Sequence, residues 1–470
     1  MRMRLIIAVG VWWLCHLPVV FAHNLALPAP VLAALQRAKV PSDTLHVVVM
    51  EANGSQKTSP LLSHEATTSI NPASLSKLAT TIAALDLLGP TFVWRTPVYI
   101  DGPVRDGVLQ GNVYVRGSGD PRLVVERVWL LMRRLQGLGI QKIQGDIVLD
   151  RSAFDLPERN PGSFDGEPLR PYNAAPDALL VNFKSLVFQF VPDRSANVAR
   201  IHVEPPMAGV QFPTTVALSN ADCSDYRSSL RPDWTDPLRI RFTGSFSAVC
   251  GEKIWPVAYS APQQFAMRAI AGMWQQIGGQ LTGQVRDGLV PANLQAVFAL
   301  ESPALSEVIR DINKFSNNVM AQQLFLTLSL QARGSGNWDA SREAMQTWWR
   351  DRIGGEAPVF DNGSGLSRDE RVSALGLARL LQFAWGSPTM SELMSSLPLS
   401  GLDGTLKRSK SQSIAHLKTG SLRDVAGIAG YVDAANGKRL ILVAVLNHAN
   451  AQAARSALDL LVDWTASQKP

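Results

Sequence analysis

The sequence predicts an α/β chain of the α+β type, with one domain assembled from both chain ends and a large β-rich region inserted between them. Three observations predict it. An α/β texture runs to Gly89, gives way from Phe92 to short strands broken by Gly/Asp turns, and returns near Pro291 with helices dominant. The first piece, about 65 residues, is too short to bury a comfortable core alone, so it is expected to complete the last piece. The full 470 residues, 46% of them hydrophobic, provide enough material for two or three domains. The expected division is a secretory signal at 1–22, the first part of the end-built domain at 23–89, an insertion of two nested subdomains at 90–291, and the second part at 292–470.

The elements follow in order. A helix is predicted from Ala29 to Lys39, then a β-branched strand from Leu45 to Met50 and an Asn53-Gly54 hairpin signal. In "NPASLSKLATTIAALDLLG", Asn71 is expected to cap a helix, Pro72 to take its first position and Gly89 to end it. The insertion holds strands, the amphipathic helix "VERVWLLMRRLQGLG", the strand "IQGDIVLD", short alternating strands from Ala196 to Pro256, and the helix "APQQFAMRAIAGMWQQIGG". Helices follow from Ser302 to near Phe315 and from Asn318 to Ala332. The chain closes with "HLKTGSL", two strands joined at Asn436-Gly437, and a helix carrying Ala454, Ala457, Leu458, Leu461 and Trp464 at helical spacing. No internal repeat is visible.

Arg2 and Arg4 precede an apolar run from Leu5 to Phe21, and Val20-Phe21-Ala22 offers a cleavage site, which reads as a secretory signal. An uncleaved anchor is the other reading, since the run approaches spanning length. No stable membrane span is expected after cleavage. Removing the signal leaves Cys223 and Cys250, which in an oxidising compartment read as a disulfide, with two separate buried thiols as the alternative. The formal charge of +6 is mild and no Lys/Arg block resembles a nucleic-acid arm, so no nucleic-acid partner is expected. The seven histidines are scattered and there is no CxxC, so neither a metal nor a cofactor is expected.

Chemistry is concentrated at Ser74 and Lys77. A serine hydroxyl is a weak nucleophile until a base removes its proton. Three residues apart on a helix, the two share a face, about 4.5 Å apart along the axis. Ser74 would sit near the third helical position, where free backbone N–H groups favour an oxyanion and disfavour a protonated lysine. Alone, Ser-x-x-Lys is weak evidence. Ser316-Asn317-Asn318 at a helix start and Lys418-Thr419-Gly420 at a strand start change this. Ser-x-x-Lys, Ser-Asp-Asn and Lys-Thr-Gly occur in this order in β-lactamases and penicillin-binding proteins.

The sequence resembles the class C penicillin-binding proteins, D-alanyl-D-alanine carboxypeptidases and endopeptidases with a large insertion after the active-serine helix. The resemblance extends over nearly the whole chain after the signal, through "VRGSGDPRL", "GDIVLDRSAFD", "YNAAPDALLVNF", "FDNGSGLSRDE" and "LPLSGLDGTLKRS". It implies a β-lactamase/transpeptidase-like domain, an antiparallel sheet flanked by helices. It departs at Asn317, where many relatives have aspartate. The resemblance implies that Ser74 attacks the penultimate D-alanine carbonyl and that Lys77 takes its proton. Ser316 relays a proton to the leaving D-alanine, with Lys418 close by, and Asn318 orients the substrate amide. Lys418 and Thr419 meet the terminal carboxylate, and backbone N–H groups of Ser74 and Ser421 form the oxyanion hole. Gly420 admits an extended peptide to the strand edge.

Arg368 is expected to meet a diaminopimelate carboxylate, or else to form a structural ion pair. Asp165, with Tyr172 flanking, is a candidate for the diaminopimelate ammonium, or else a solvated loop acid. His416, on the same strand face as Lys418, reads as buried or supporting. The implied partners are peptidoglycan stem peptides and muropeptides, with β-lactam antibiotics as covalent inhibitors, in the periplasm. A serine β-lactamase is disfavoured by the insertion and by the lack of a Glu-x-x-x-Asn motif. A slowly acylated peptidoglycan-binding or β-lactam-sensing protein is disfavoured by the missing membrane span.

Overall fold

The computed structural model describes residues 26–55 and 58–468, so the secretory-signal reading of 1–22 lies outside the described residues. The α+β expectation holds. The central sheet has five antiparallel strands in the spatial order Leu62–His64, Leu45–Glu51, Arg439–Asn447, Val425–Asp433, Ala415–Leu422, so the two ends of the chain share one sheet. The run "RLILVAVLN" lacks alternation because both its faces are buried. Ile441, Val443 and Val445 enter a core with helices Ser76–Leu88, Leu305–Lys314, Asn318–Arg333 and Ala374–Trp385. Leu440, Leu442, Ala444 and Leu446 enter a second core under helices Ala29–Arg37 and Arg455–Ala466.

The insertion has its own core, where helices Val125–Gly137 and Phe265–Gln276 pack against its sheets. Cys223 and Cys250 are joined by a disulfide against this core. Contrary to the sequence reading, it contains a repeat. Three bent strands stack in parallel: Val108–Leu109 with Val113–Arg116, Lys142–Ile143 with Ile147–Asp150, and Gln280–Leu281 with Val285–Asp287. Each bends at a glycine and a polar residue. Asp146 N–H donates to Asn112 Oδ1 (2.7 Å), and Gln284 N–H donates to Asp146 Oδ1 (2.9 Å). A Cβ on Gly283 would lie 2.5 Å from the Gly145 carbonyl, so the stack admits no larger residue there. The units are a few residues long and unevenly spaced, which hides them from a search for a fixed period.

Three local expectations also change. Asn53-Gly54 is no two-residue hairpin, because Leu45–Glu51 pairs with a strand that begins only at Leu62. Lys418-Thr419-Gly420 lies in the middle of its strand, not at its start. Asn71 does not cap an α-helix: its Oδ1 accepts from Ala73 N–H (2.8 Å), Ala73–Leu75 form a 3-10 turn, and the α-helix begins at Ser76. Ala73 has φ of +49°, which no α-helix tolerates, so the chain enters this turn from a different direction.

Candidate active site

Ser74 stands on that 3-10 turn, held between the two halves of the end-built domain. Asn71 is fixed to the last strand by Asn447, whose Oδ1 accepts from Asn71 N–H (3.1 Å) and whose Nδ2 donates to the Asn71 carbonyl (3.0 Å). Asn71 Nδ2 donates to the Ser367 carbonyl (3.0 Å). Gly365, at φ +77°, lies so close that a Cβ would sit 1.9 Å from the Ala73 carbonyl. Gly420 on the edge strand is constrained by space alone, with a Cβ position 2.7 Å from the Pro72 carbonyl. Glycine at both positions lets two backbones close around the serine.

Lys77 is fully buried one turn on. Its Nζ lies 3.0 Å from Ser74 Oγ and 2.7 Å from Asn318 Oδ1, and also donates to the Ser364 carbonyl. Burial lowers its pKa to about 7, against the opposing charge of Glu370. A hydroxyl beside a lysine that is substantially neutral near pH 7 has a partner able to accept its proton.

Ser316 joins two helices with φ of +57°, a left-handed turn that costs a non-glycine residue on the order of 1 kcal/mol. Asn317 turns away from the cleft and caps the next helix through Oδ1 to Met320 N–H (3.1 Å). Either an amide or a carboxylate oxygen can make that cap, so the departure from Ser-Asp-Asn falls on a backbone-facing position. Asn318 Nδ2 donates to the Tyr172 carbonyl of the insertion (3.3 Å).

Lys418, also fully buried, donates to Ser316 Oγ (2.9 Å) and to the Thr419 carbonyl (2.8 Å). Burial, with the charge of Lys77, holds its pKa well below the ordinary value. Leu417 N–H is taken by Pro398 on the outer edge of the strand (2.9 Å). By the alternation of antiparallel pairing, the N–H groups of Thr419 and Ser421 also face that edge. Thr419 Oγ1 donates to Thr405 Oγ1 (2.7 Å). His416 is half-buried and lies outside the residues that line the cleft.

A cavity of about 620 Å³ brings Ser74, Ser316, Asn318 and Ser421 together with Asp165, Tyr172 and Arg368. Asp165 Oδ2 accepts from Tyr172 OH (2.9 Å), and Oδ1 accepts from Asn173 Nδ2 (2.7 Å) and Glu167 N–H (3.0 Å). Its slight burial would raise its pKa, but these donors hold the carboxyl below the ordinary value, so it stays charged. Arg368 pairs with Asp424 (3.0 Å) and lies 4.8 Å over the Phe164 ring. Arg368 thus forms the ion pair that was its alternative reading, and it also lines the cavity.

Sequence reasoning passed over Glu370. It is 1% exposed, and its Oε1 accepts from the N–H groups of Asn362 (3.1 Å) and Gly363 (2.9 Å). That fixes the loop whose next carbonyls, Gly363 and Ser364, accept from Thr80 Oγ1 (2.7 Å) and Lys77. Burial raises the Glu370 pKa, with the Ser76 hydroxyl and the two backbone donors opposing. Its signal was an acid two residues after the arginine of "FDNGSGLSRDE", which reads as loop polarity when seen alone. Among the described residues no group of three His, Cys, Asp or Glu is placed to hold a metal, and no helix is long and apolar enough to cross a membrane.

The chain is 26% identical over 388 residues to D-alanyl-D-alanine carboxypeptidase DacB of Haemophilus influenzae, covering 80% of each chain. It is 27% identical over 415 residues to the D-alanyl-D-alanine carboxypeptidase of Actinomadura sp. (strain R39), covering 83% of this chain and 75% of that one. In fold it is similar to the crystal structure of penicillin binding protein 4 (dacB) from Haemophilus influenzae, with a TM-score of 0.71 at 23% identity, over 92% of this chain and 99% of that one. It is also similar in fold to the penicillin G acylated Bd3459 predatory endopeptidase from Bdellovibrio bacteriovorus, with a TM-score of 0.53 at 16% identity, over 90% of this chain and 93% of that one. The family model for D-Ala-D-Ala carboxypeptidase 3 (S13) matches residues 28–468, and the chain belongs to that family of serine DD-peptidases.

Proposed function

We propose that this chain is an active-serine DD-peptidase of the periplasm. It removes terminal D-alanine from peptidoglycan stem peptides, cleaves D-Ala–diaminopimelate crosslinks, or does both, and β-lactams acylate it. The observation that supports this most is the buried Lys77 Nζ, 3.0 Å from Ser74 Oγ with its pKa lowered to about 7. In this reading Ser74 Oγ attacks the D-alanine carbonyl carbon as Lys77 takes its proton. The oxyanion forms between the N–H groups of Ser74 and Ser421. The proton taken by Lys77 is relayed through Ser316, beside Lys418, to the leaving nitrogen as the C–N bond breaks. Thr419 receives the carboxylate of the leaving residue, and Asn318 orients the acyl-side amide. Water then cleaves the ester, and Ser74 regains its proton.

On the acyl side, Asp165 with Tyr172 binds the free ammonium of diaminopimelate, and Arg368 meets its carboxylate by exchanging it for Asp424. The support is their shared cavity with Ser74 and the charged state of Asp165. The test incubates mature protein with labelled penicillin and with monomeric and crosslinked muropeptides, and identifies products by mass. The expected result is one label per chain, lost in Ser74→Ala, and release of D-alanine or of monomers. Labelling that survives Ser74→Ala overturns the assignment.

A further inference from the structure

Two cavities meet at Ser74, and the function proposed above accounts for one. The other, about 600 Å³, runs from Ser74, Ser316 and Thr419 along the opposite side of the edge strand. Arg408, Lys410 and Arg455 line it. Among the described residues none of the three side chains is in an ion pair, and Arg408 and Lys410 make no side-chain hydrogen bond. Arg455 is aimed at the cleft by Gln452 Oε1 and Ser421 Oγ, both at 2.7 Å. Asp459, the acid on the same wall, accepts the Ser409 hydroxyl (2.7 Å).

We propose that this basic groove is the subsite for an anionic leaving peptide, formed where Arg408, Lys410 and Arg455 extend the cleft beyond Thr419. The proposal rests on the peptidase reading above and deepens it. A substrate crossing Ser74 has its acyl arm on the Asp165 side and its leaving arm on the Thr419 side. A leaving D-alanine ends at the carboxylate that meets Thr419, and leaves the rest of the groove empty. A leaving diaminopimelate has a carboxylate at the same position, then continues into a second stem peptide with its own terminal carboxylate. Uncompensated cations in a groove continuous with the serine match that second anion, and nothing in a single D-alanine uses them. The chemistry balances as for any amide. Ser74 Oγ bonds to the D-alanine carbonyl carbon, the bond to the diaminopimelate nitrogen breaks, and the serine proton ends on that nitrogen. Water then splits the ester into the free acid and Ser74. The groove binds the departing arm and takes no part in bond making.

The test uses the full mature chain and the double variant Arg408→Glu/Lys410→Glu, with Arg408→Lys as the conservative control. Substrates are a crosslinked muropeptide dimer, the same dimer with its leaving-side terminal carboxylate amidated, a monomeric pentapeptide and labelled penicillin. The expected result is a rise of about tenfold in KM for the dimer, with penicillin acylation and D-alanine release from the monomer unchanged and Arg408→Lys near wild type. Amidation should raise KM for the wild type similarly but lower it for the double variant, because the reversed charges repel the carboxylate that amidation removes. An unchanged KM for the dimer, or equal losses on dimer and monomer, overturns the groove assignment. A wild type that releases D-alanine but leaves the dimer intact overturns it as well. A wild type that acts on neither peptide defeats the peptidase reading itself.

Discussion

The catalytic cleft has two walls of opposite character. On the wall built by the chain ends, the charged groups directly behind Ser74 are enclosed: Lys77 and Lys418 are fully buried and Glu370 is 1% exposed. On the wall built by the insertion, Asp165 is an exposed loop residue and Tyr172 is 41% exposed. In the function proposed above, the difference follows from what each wall does. A lysine becomes a base near neutral pH only when burial strips its water, so the reactive wall must be closed and held by backbone. A carboxylate that is to bind a ligand's ammonium must remain charged, so the recognition wall stays wet and keeps its acid hydrogen-bonded.

That contrast can be broken most severely at Lys77. Lys77→Ala should lower the rate of penicillin acylation by roughly 10²–10⁴-fold, the usual worth of a general base, while reversible binding persists. Stopped-flow acylation would check this.

The electrostatic side of the same wall is sharpened by pH. Acylation requires neutral Lys77, so kcat/KM should fall on the acid side with a midpoint near pH 7. The Glu370 charge raises the Lys77 pKa, so Glu370→Gln should move that limb to lower pH while its amide oxygen still accepts from Asn362 and Gly363. A pH–rate profile that does not move would show that Glu370 is structural alone. The sign for stability is also fixed. Lys77 has a lower pKa folded than its ordinary value of 10.5, so the unfolded chain binds more protons between about 7 and 10.5 and stability rises with pH across that window.

The wet wall should give a smaller and selective effect. Asp165→Ala should weaken turnover of fragments carrying a free diaminopimelate amine by about tenfold, an exposed charge-assisted contact, and leave penicillin acylation unchanged. Parallel kinetics on the two substrates would separate this from a folding defect, which lowers both. The smallest effect belongs to the backbone-facing member of the second motif. Asn317→Asp should leave activity within about twofold and stability within about 0.5 kcal/mol, since the cap survives, whereas Asn317→Ala should cost about 1 kcal/mol in urea melts.

The two walls were unequally legible. Two interior strands were visible because "VAGIAGYV" and "RLILVAVLN" are apolar runs around Asn436-Gly437, and the three motifs marked where the chemistry lies although not the elements that carry it. Ser74 was placed in an α-helix because Asn-Pro imitates a cap, and the left-handed φ of Ala73 has no signature in an alanine. Glu370 was missed because its meaning depends on two N–H groups that only the folded loop aligns. The glycine stack of the insertion was missed because its contacts join positions far apart in the chain.

Gln323 joins the walls. It is fully buried in the helix that begins at Asn318. Its Nε2 donates to the carbonyls of Gly119 (3.1 Å) and Asp177 (2.8 Å), and its Oε1 accepts from Asp177 N–H (2.8 Å). One buried amide thus references the insertion to the same helix that carries Asn318. In the proposed function, with Asp165 as the ammonium site, the cleft would act as a gauge whose span from serine to acid is set before substrate arrives. A diamino acid one methylene shorter than the gap would have to bridge it through water, and one longer would have to fold. Arm length, and not charge alone, would then sort the substrates.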